Sequence, residues 1–153
     1  SLDLAFLFNA PYTIESKLRP NSLRQYAGKL KLAYLAYEGG ESNRFDGFSI
    51  EKALQGVHTI LEKKEMIAGD KNENKSTTKH SIDNKWIRAS ASGIFVWTRA
   101  SGVYVQKGEV LGTIADPDNL KIELVKARFA GHIIGHNNAP IVHIGDALFH
   151  IGL

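Results

Sequence analysis

Leu32-Ala33-Tyr34-Leu35-Ala36-Tyr37-Glu38-Gly39-Gly40 is the stretch on which the fold of the first half turns. Six apolar residues run without a break into a carboxylate and two glycines. A run of that kind suits a strand buried on both faces, as in a parallel sheet. Upstream, Pro20 and Asn21 open a short helix that runs to about Leu30, with Asn21 as its cap. Before that, the apolar run from Leu2 to Phe8 reads as a short buried strand. Downstream, Ile50, Ala53, Leu54, Val57, Ile60 and Leu61 fall on one helical stripe. Ser49 suits the cap of that helix, Glu51 its first turn, and Gly69 its stop. Strand, helix, strand, helix is the grammar of an α/β sheet. Two strands are too few for such a sheet to stand alone. The expectation is therefore that the rest of the sheet precedes Ser1.

The composition changes twice along the chain. Residues 1–67 are apolar and mixed, residues 68–85 are almost wholly polar, and residues 86–153 turn apolar again with frequent glycine. The middle stretch buries too little to fold alone and reads as a linker or loop. The last stretch contains an internal repeat. Ala89 and Gly93 fall on Ala127 and Gly131 at an offset of 38, while Gly108, Glu109, Leu111 and Ile114 fall on Gly145, Asp146, Leu148 and Ile151 at an offset of 37. Each half reads as a strand, a glycine bend, a second strand, a Gly-acid turn and a closing strand. Such a repeat predicts two intertwined half-units in a compact β-sandwich or barrel.

The chain has 153 residues, 43% hydrophobic and 23% charged, enough for one ordinary domain or two small ones. No apolar run approaches a membrane span, and no basic leader precedes an apolar core. With no cysteine there are no disulfides, thiolate nucleophiles or thiolate metal sites, which fits a cytoplasmic protein. The net charge is only +3, and the Lys and Arg residues are scattered rather than clustered, so nucleic acid is not an expected partner.

Glu38 is the leading candidate for chemistry. In α/β sheets the carboxyl ends of strands face the ligand crevice. The glycines after it allow a sharp turn and leave room beside the carboxylate, so Glu38 is placed as a general acid/base. The alternative is a polar residue that merely leaves a strand; Glu41, the runner-up, reads more simply as a loop charge. Arg24, early in the short helix, suits a bidentate grip on a substrate carboxylate or an ordinary surface position. Arg44, with Phe45 and Asp46, reads as a local ion pair or turn, with a substrate contact as the alternative. His132 and His136 share an HxxxH spacing, which on a helix could bind a metal; glycine-flanked in the β-module it points to one less strongly, and no metal ligand is assigned. His143 and His150 read as structural residues of the repeat, and His58 and His80 as ordinary ones.

Tyr37-Glu38-Gly39-Gly40-Glu41 followed by Arg44-Phe45-Asp46 resembles the succinylglutamate desuccinylase/aspartoacylase family of zinc-dependent deacylases. Ser22-Leu23-Arg24, Gly56-Val57 and the ending Gly145-Asp146-Ala147-Leu148-Phe149-His150-Ile151-Gly152 extend the resemblance over nearly the whole chain. It implies an α/β remnant of a carboxypeptidase-like domain (1–67), a polar linker (68–85) and a small all-β barrel or sandwich module with an internal two-fold repeat (86–153). It also implies that Glu38 handles protons at a zinc-bound water while Arg24 orients a substrate carboxylate. The implied reaction is hydrolysis of an acidic N-acyl amino acid or related amide, with zinc polarising the carbonyl. The family's zinc ligands include an HxxE motif, and no HxxE occurs here. Zinc is thus expected in an intact parent that includes a missing N-terminal half, and none on this chain alone, which by itself is expected to be inactive.

Two rivals stand beside this reading. The β-module could gate a substrate channel or mediate homo-oligomerisation. It also resembles a biotinyl/lipoyl-type hammerhead, but the junction Ala115-Asp116-Pro117-Asp118-Asn119-Leu120-Lys121 lacks the carrier lysine's Met-Lys-Met or Asp-Lys setting.

Overall fold

The computed structural model describes residues 1–69 and 76–153. The chain divides into two compact units, Ser1–His80 and Ser81–Leu153. The stretch 68–85, expected to be a linker or loop, holds strand β2 (Lys79–Ser81) and the start of β3 (Asn84–Arg88); its residues 70–75 lie outside the described residues.

The first unit contains helix α1 (Leu2–Phe8), strand β1 (Tyr12–Ile14), helix α2 (Leu23–Lys29) and helix α3 (Gly47–Lys63). Three expectations are corrected here. Leu2–Phe8 is a helix, not a strand: seven apolar-rich residues carry too little periodicity to separate the two. Burying Ala5 and Phe8, three apart on one helical face, decides for helix. Phe8 packs onto Gly56 of α3, where an added Cβ would fall 2.7 Å from its ring. The run 32–37 is not a strand either. Among the described residues no strand pairs with it, and Leu32 is 60% exposed. Without flanking strands its backbone groups have no ladder to join. Among the described residues this unit remains mixed α/β, but the expected strand-helix-strand-helix order is replaced by helix, strand, helix, helix, with β1 paired to β2.

The helix ends are also set by other residues than expected. Ser22, not Asn21, caps α2: its Oγ accepts from the Gln25 amide at 3.2 Å, and Gln25 Oε1 accepts from the Asn21 amide at 3.0 Å. Asp46, not Ser49, caps α3, accepting from the Ser49 amide at 2.6 Å. The helix stops before Gly69. Glu65 takes the left-handed conformation (φ 57°), and the Glu65 and Met66 amides donate back to Glu62 and Leu61 carbonyls.

The second unit holds eight strands in two antiparallel sheets. After β3 come β4 (Gly93–Trp97), β5 (Tyr104–Val105), β6 (Val110–Ala115), β7 (Ile122–Lys126), β8 (Gly131–His136), β9 (Ile141–Val142) and β10 (Ala147–Gly152). One sheet runs β3-β10-β8-β5 and the other β7-β6-β4-β9. Strands β7 and β8 begin 38 residues after β3 and β4, and β9 and β10 begin 37 residues after β5 and β6. Shifted by those amounts, each sheet becomes the other in the same order. Irregular register also recurs, between Val110 and Gly112 in β6 and between Ala147 and Phe149 in β10. Ile87, Val105, Ile133, Phe149 and Ile151 from one sheet meet Phe95, Leu111, Ile114, Val125 and Val142 from the other in one buried core. Phe95 and Phe149 close it edge to face, with centroids 5.9 Å apart.

Candidate functional site

The segment that carries Glu38 has no regular structure but is anchored on both sides of the carboxylate. Before it, the Tyr37 hydroxyl donates to the Ser49 carbonyl at 2.9 Å, and the ring packs against Phe8 with centroids 5.0 Å apart. Ser49 lies in the first turn of α3, so the loop is tied to that helix's start. After it, Gly39 lies under the Tyr37 ring, and a Cβ there would sit 2.5 Å from the tyrosine oxygen. Gly40, at φ 80°, turns the chain. Asp46, whose carboxyl is held below its ordinary range by hydrogen bonds from the Ser49 side chain and amide, fixes the far end of the loop at the helix cap.

These residues surround an open hollow of about 170 Å³ whose wall includes Tyr37, Gly39, Gly40, Arg44, Asp46 and Ile50. Glu38 is exposed and adjoins this wall through its chain neighbours. Arg44 reaches Glu41 at 3.8 Å while staying 76% exposed. The turn expected at Arg44-Phe45-Asp46 thus leads into the helix cap at Asp46, and Arg44 is part of the hollow's wall. Arg24 is half-buried on α2 and is not part of this wall. The arrangement thus combines one cationic side chain in the hollow's wall, Arg44, with an exposed carboxylate, Glu38, set between the wall residues Tyr37 and Gly39 in the chain. Tyr37 and Asp46 were not assigned these roles from sequence. The Asp46-Gly47-Phe48-Ser49 spacing, an acid three residues before a serine, carried the cap signal. Tyr37 was hidden inside the apolar run.

Three histidines of the second unit pack on aromatic rings, while His143 is exposed and its backbone amide donates to Asp146 Oδ2 at 2.7 Å. His150 stacks on Trp86 (4.2 Å, 5°) and bonds Asn84 Oδ1 at 2.8 Å. His132 meets Tyr104 edge-on at 4.9 Å, and His136 packs on Trp97 and bonds Ser101 at 2.8 Å. His132 and His136 share strand β8, where four residues span about 13 Å, too far to grip one ion. Among the described residues no three His, Cys, Asp or Glu side chains converge to hold a metal ion. The donor set of these residues therefore does not fit a zinc centre. Nor is any helix among them long and apolar enough to cross a membrane.

No protein-family model matches the sequence, and no curated protein matches it. Solved structures do match the fold. The product-bound ectoine utilization protein EutE (DoeB) from Ruegeria pomeroyi superposes with a TM-score of 0.84 at 20% identity, over 99% of this chain and 48% of that one. A succinylglutamate desuccinylase/aspartoacylase from Rhodobacter sphaeroides gives 0.83 at 21%, over 98% and 48%. An aspartoacylase family protein from Mesorhizobium loti gives 0.74 at 16%, over 99% and 47%. The chain spans about half the length of these three structures, and by fold it corresponds to that share of a succinylglutamate desuccinylase/aspartoacylase structure.

Proposed function

We propose that residues 1–153 form part of a hydrolase that cleaves an acidic N-acyl amino acid or related amide, and that Glu38 is its general acid/base. The observation that carries this reading is the Glu38-Gly39-Gly40 turn, pinned to the start of α3 with Arg44 on the same hollow. Glu38 accepts a proton from the attacking water and returns it to the leaving amine. Arg44 orients the substrate carboxylate. Its pairing with Glu41 is long and exposed, and such surface pairs hold weakly, so the guanidinium exchanges partners at little cost. Arg24, which does not line the hollow, is a second orienting candidate. The zinc of such an enzyme is held by donors outside the described residues. In the second unit, the correspondence of strand spacing and sheet order supports two intertwined half-units.

The test is Glu38→Gln in the active polypeptide that carries this chain, with N-acetyl- and N-succinyl-amino acids as probes and amine release as readout. We expect kcat to fall by at least about 100-fold. Near-normal turnover would remove Glu38 from the chemistry, and a wild type inert towards every probe would remove the deacylase reading.

A second reading, self-association through the β-module, is favoured by one face. Register places Ile122, Ala115, Ile94 and Ile141 in a single row across β7-β6-β4-β9, with Ile122, Ile94 and Ile141 exposed. Light scattering that returned a strict monomer would count against it.

A further inference from the structure

We infer that Tyr37 is the positioning residue for Glu38, fixing the carboxylate through the first turn of α3. This rests on the proton-transfer role proposed for Glu38. Tyr37 and Glu38 are adjacent, so whatever holds the Tyr37 side chain holds the backbone from which Glu38 projects. Three contacts hold it. The hydroxyl donates to the Ser49 carbonyl at 2.9 Å. The ring lies on Phe8 at 5.0 Å, and Phe8 is itself packed on Gly56 of the same helix. The ring also covers Gly39, where any Cβ would collide with it. The Ser49 carbonyl belongs to a turn that Asp46 caps, so the acceptor is fixed as well. A carboxylate in an irregular, exposed loop would otherwise sample many directions, and misplacement by about 1 Å costs a reacting group heavily. The glycine after Glu38 is therefore required for space rather than for an unusual backbone angle: Gly39, unlike Gly40, is not in the left-handed region.

Two variants break the same hydrogen bond by different routes. Tyr37→Phe removes the donor and keeps the ring. Gly39→Ala keeps the donor and pushes the ring off its acceptor. Each is made in the wild-type and Glu38→Gln backgrounds and assayed with the N-acyl amino acid that the wild type turns over best. Thermal melts and amide exchange at Gly39 and Gly40 accompany the kinetics. The expected result is a fall in kcat of about tenfold with KM nearly unchanged, faster exchange at Gly39 and Gly40, and no further loss when either change is added to Glu38→Gln. An equal loss in both backgrounds would overturn the proposal, because the tyrosine would then act through general stability. Wild-type kcat in both variants would overturn it too. Should Tyr37→Phe fold poorly, Gly39→Ala decides by the same criteria. Normal turnover in Glu38→Gln alone would instead defeat the underlying assignment of Glu38, a result distinct from either.

Discussion

The Gly145 amide donates to the Ala89 carbonyl at 2.9 Å, and the Ala89 amide donates back to the Asp146 carbonyl at 2.8 Å. The same pair of bonds joins Gly108 to Ala127 (2.7 Å) and Ala127 to Glu109 (2.8 Å). Each Gly-acid turn is thus tied to the strand end of the opposite half. Gly145 and Gly108 hold φ of 91° and 89°, and a Cβ at either would meet nothing within 4 Å. The cost of adding one is therefore backbone strain alone. Gly145→Ala and Gly108→Ala should each destabilise the protein by about 1–2 kcal/mol. Urea titration should show nearly equal losses; a clear inequality would mean that the two turns are not equivalent.

Phe149 is fully buried and meets Phe95 from the facing sheet. Its removal opens a cavity at the contact between sheets, where neither can close without moving a whole strand. Phe149→Ala should cost about 3–5 kcal/mol, measured by the shift in denaturation midpoint. Phe149→Leu should cost clearly less, because it restores most of the volume.

These two cases show why the second half was the more legible in the sequence. Its glycines, acids and alternating apolar residues act locally, through turn conformation and strand pleat: Gly108 and Gly145 stand at positive φ, each two residues before a strand. The first half depends on partners. The apolar residues of Leu32–Tyr37 predict a buried strand, yet burial needs a neighbour, and none among the described residues supplies a ladder. Leu2–Phe8 is a helix because Phe8 finds Gly56, a contact no local pattern announces. The turn after Glu38 is legible because Gly39 and Gly40 mark it, and Gly40 stands at φ 80°. Tyr37 is not, because its hydrogen bond runs to a backbone carbonyl of a helix twelve residues away.

Glu65 ends α3 in a conformation that suits glycine better. Its φ of 57° satisfies the terminal carbonyls of Leu61 and Glu62 at the cost of crowding its own Cβ. Glu65→Gly should stabilise the protein by up to about 1 kcal/mol, the relief of left-handed strain exceeding the added freedom of the unfolded chain. A melting temperature that fell would show that the glutamate side chain contributes more than the strain costs.

Acid should weaken both units through two identified carboxylates. Asp46 is held below its ordinary range by the Ser49 side-chain and amide hydrogen bonds. Glu109 is held low first by the Gln106 amide, which it accepts at 2.9 Å, and then by Arg99 at 2.8 Å. A carboxylate whose folded value lies below its unfolded value binds fewer protons when folded, so stability rises with pH across the interval between the two. The contribution is complete above the ordinary values of 3.8 for Asp46 and 4.5 for Glu109, and it is lost as pH falls through the lower folded values. Asp46→Asn keeps a capping oxygen but cannot titrate, so its stability should depend less on pH below about 4 than the wild type's. Glu109→Gln should flatten the curve from a slightly higher pH. Denaturation measured from pH 6 down to pH 2.5 would check both, and an unchanged acid slope in either variant would exclude that carboxylate from the acid response.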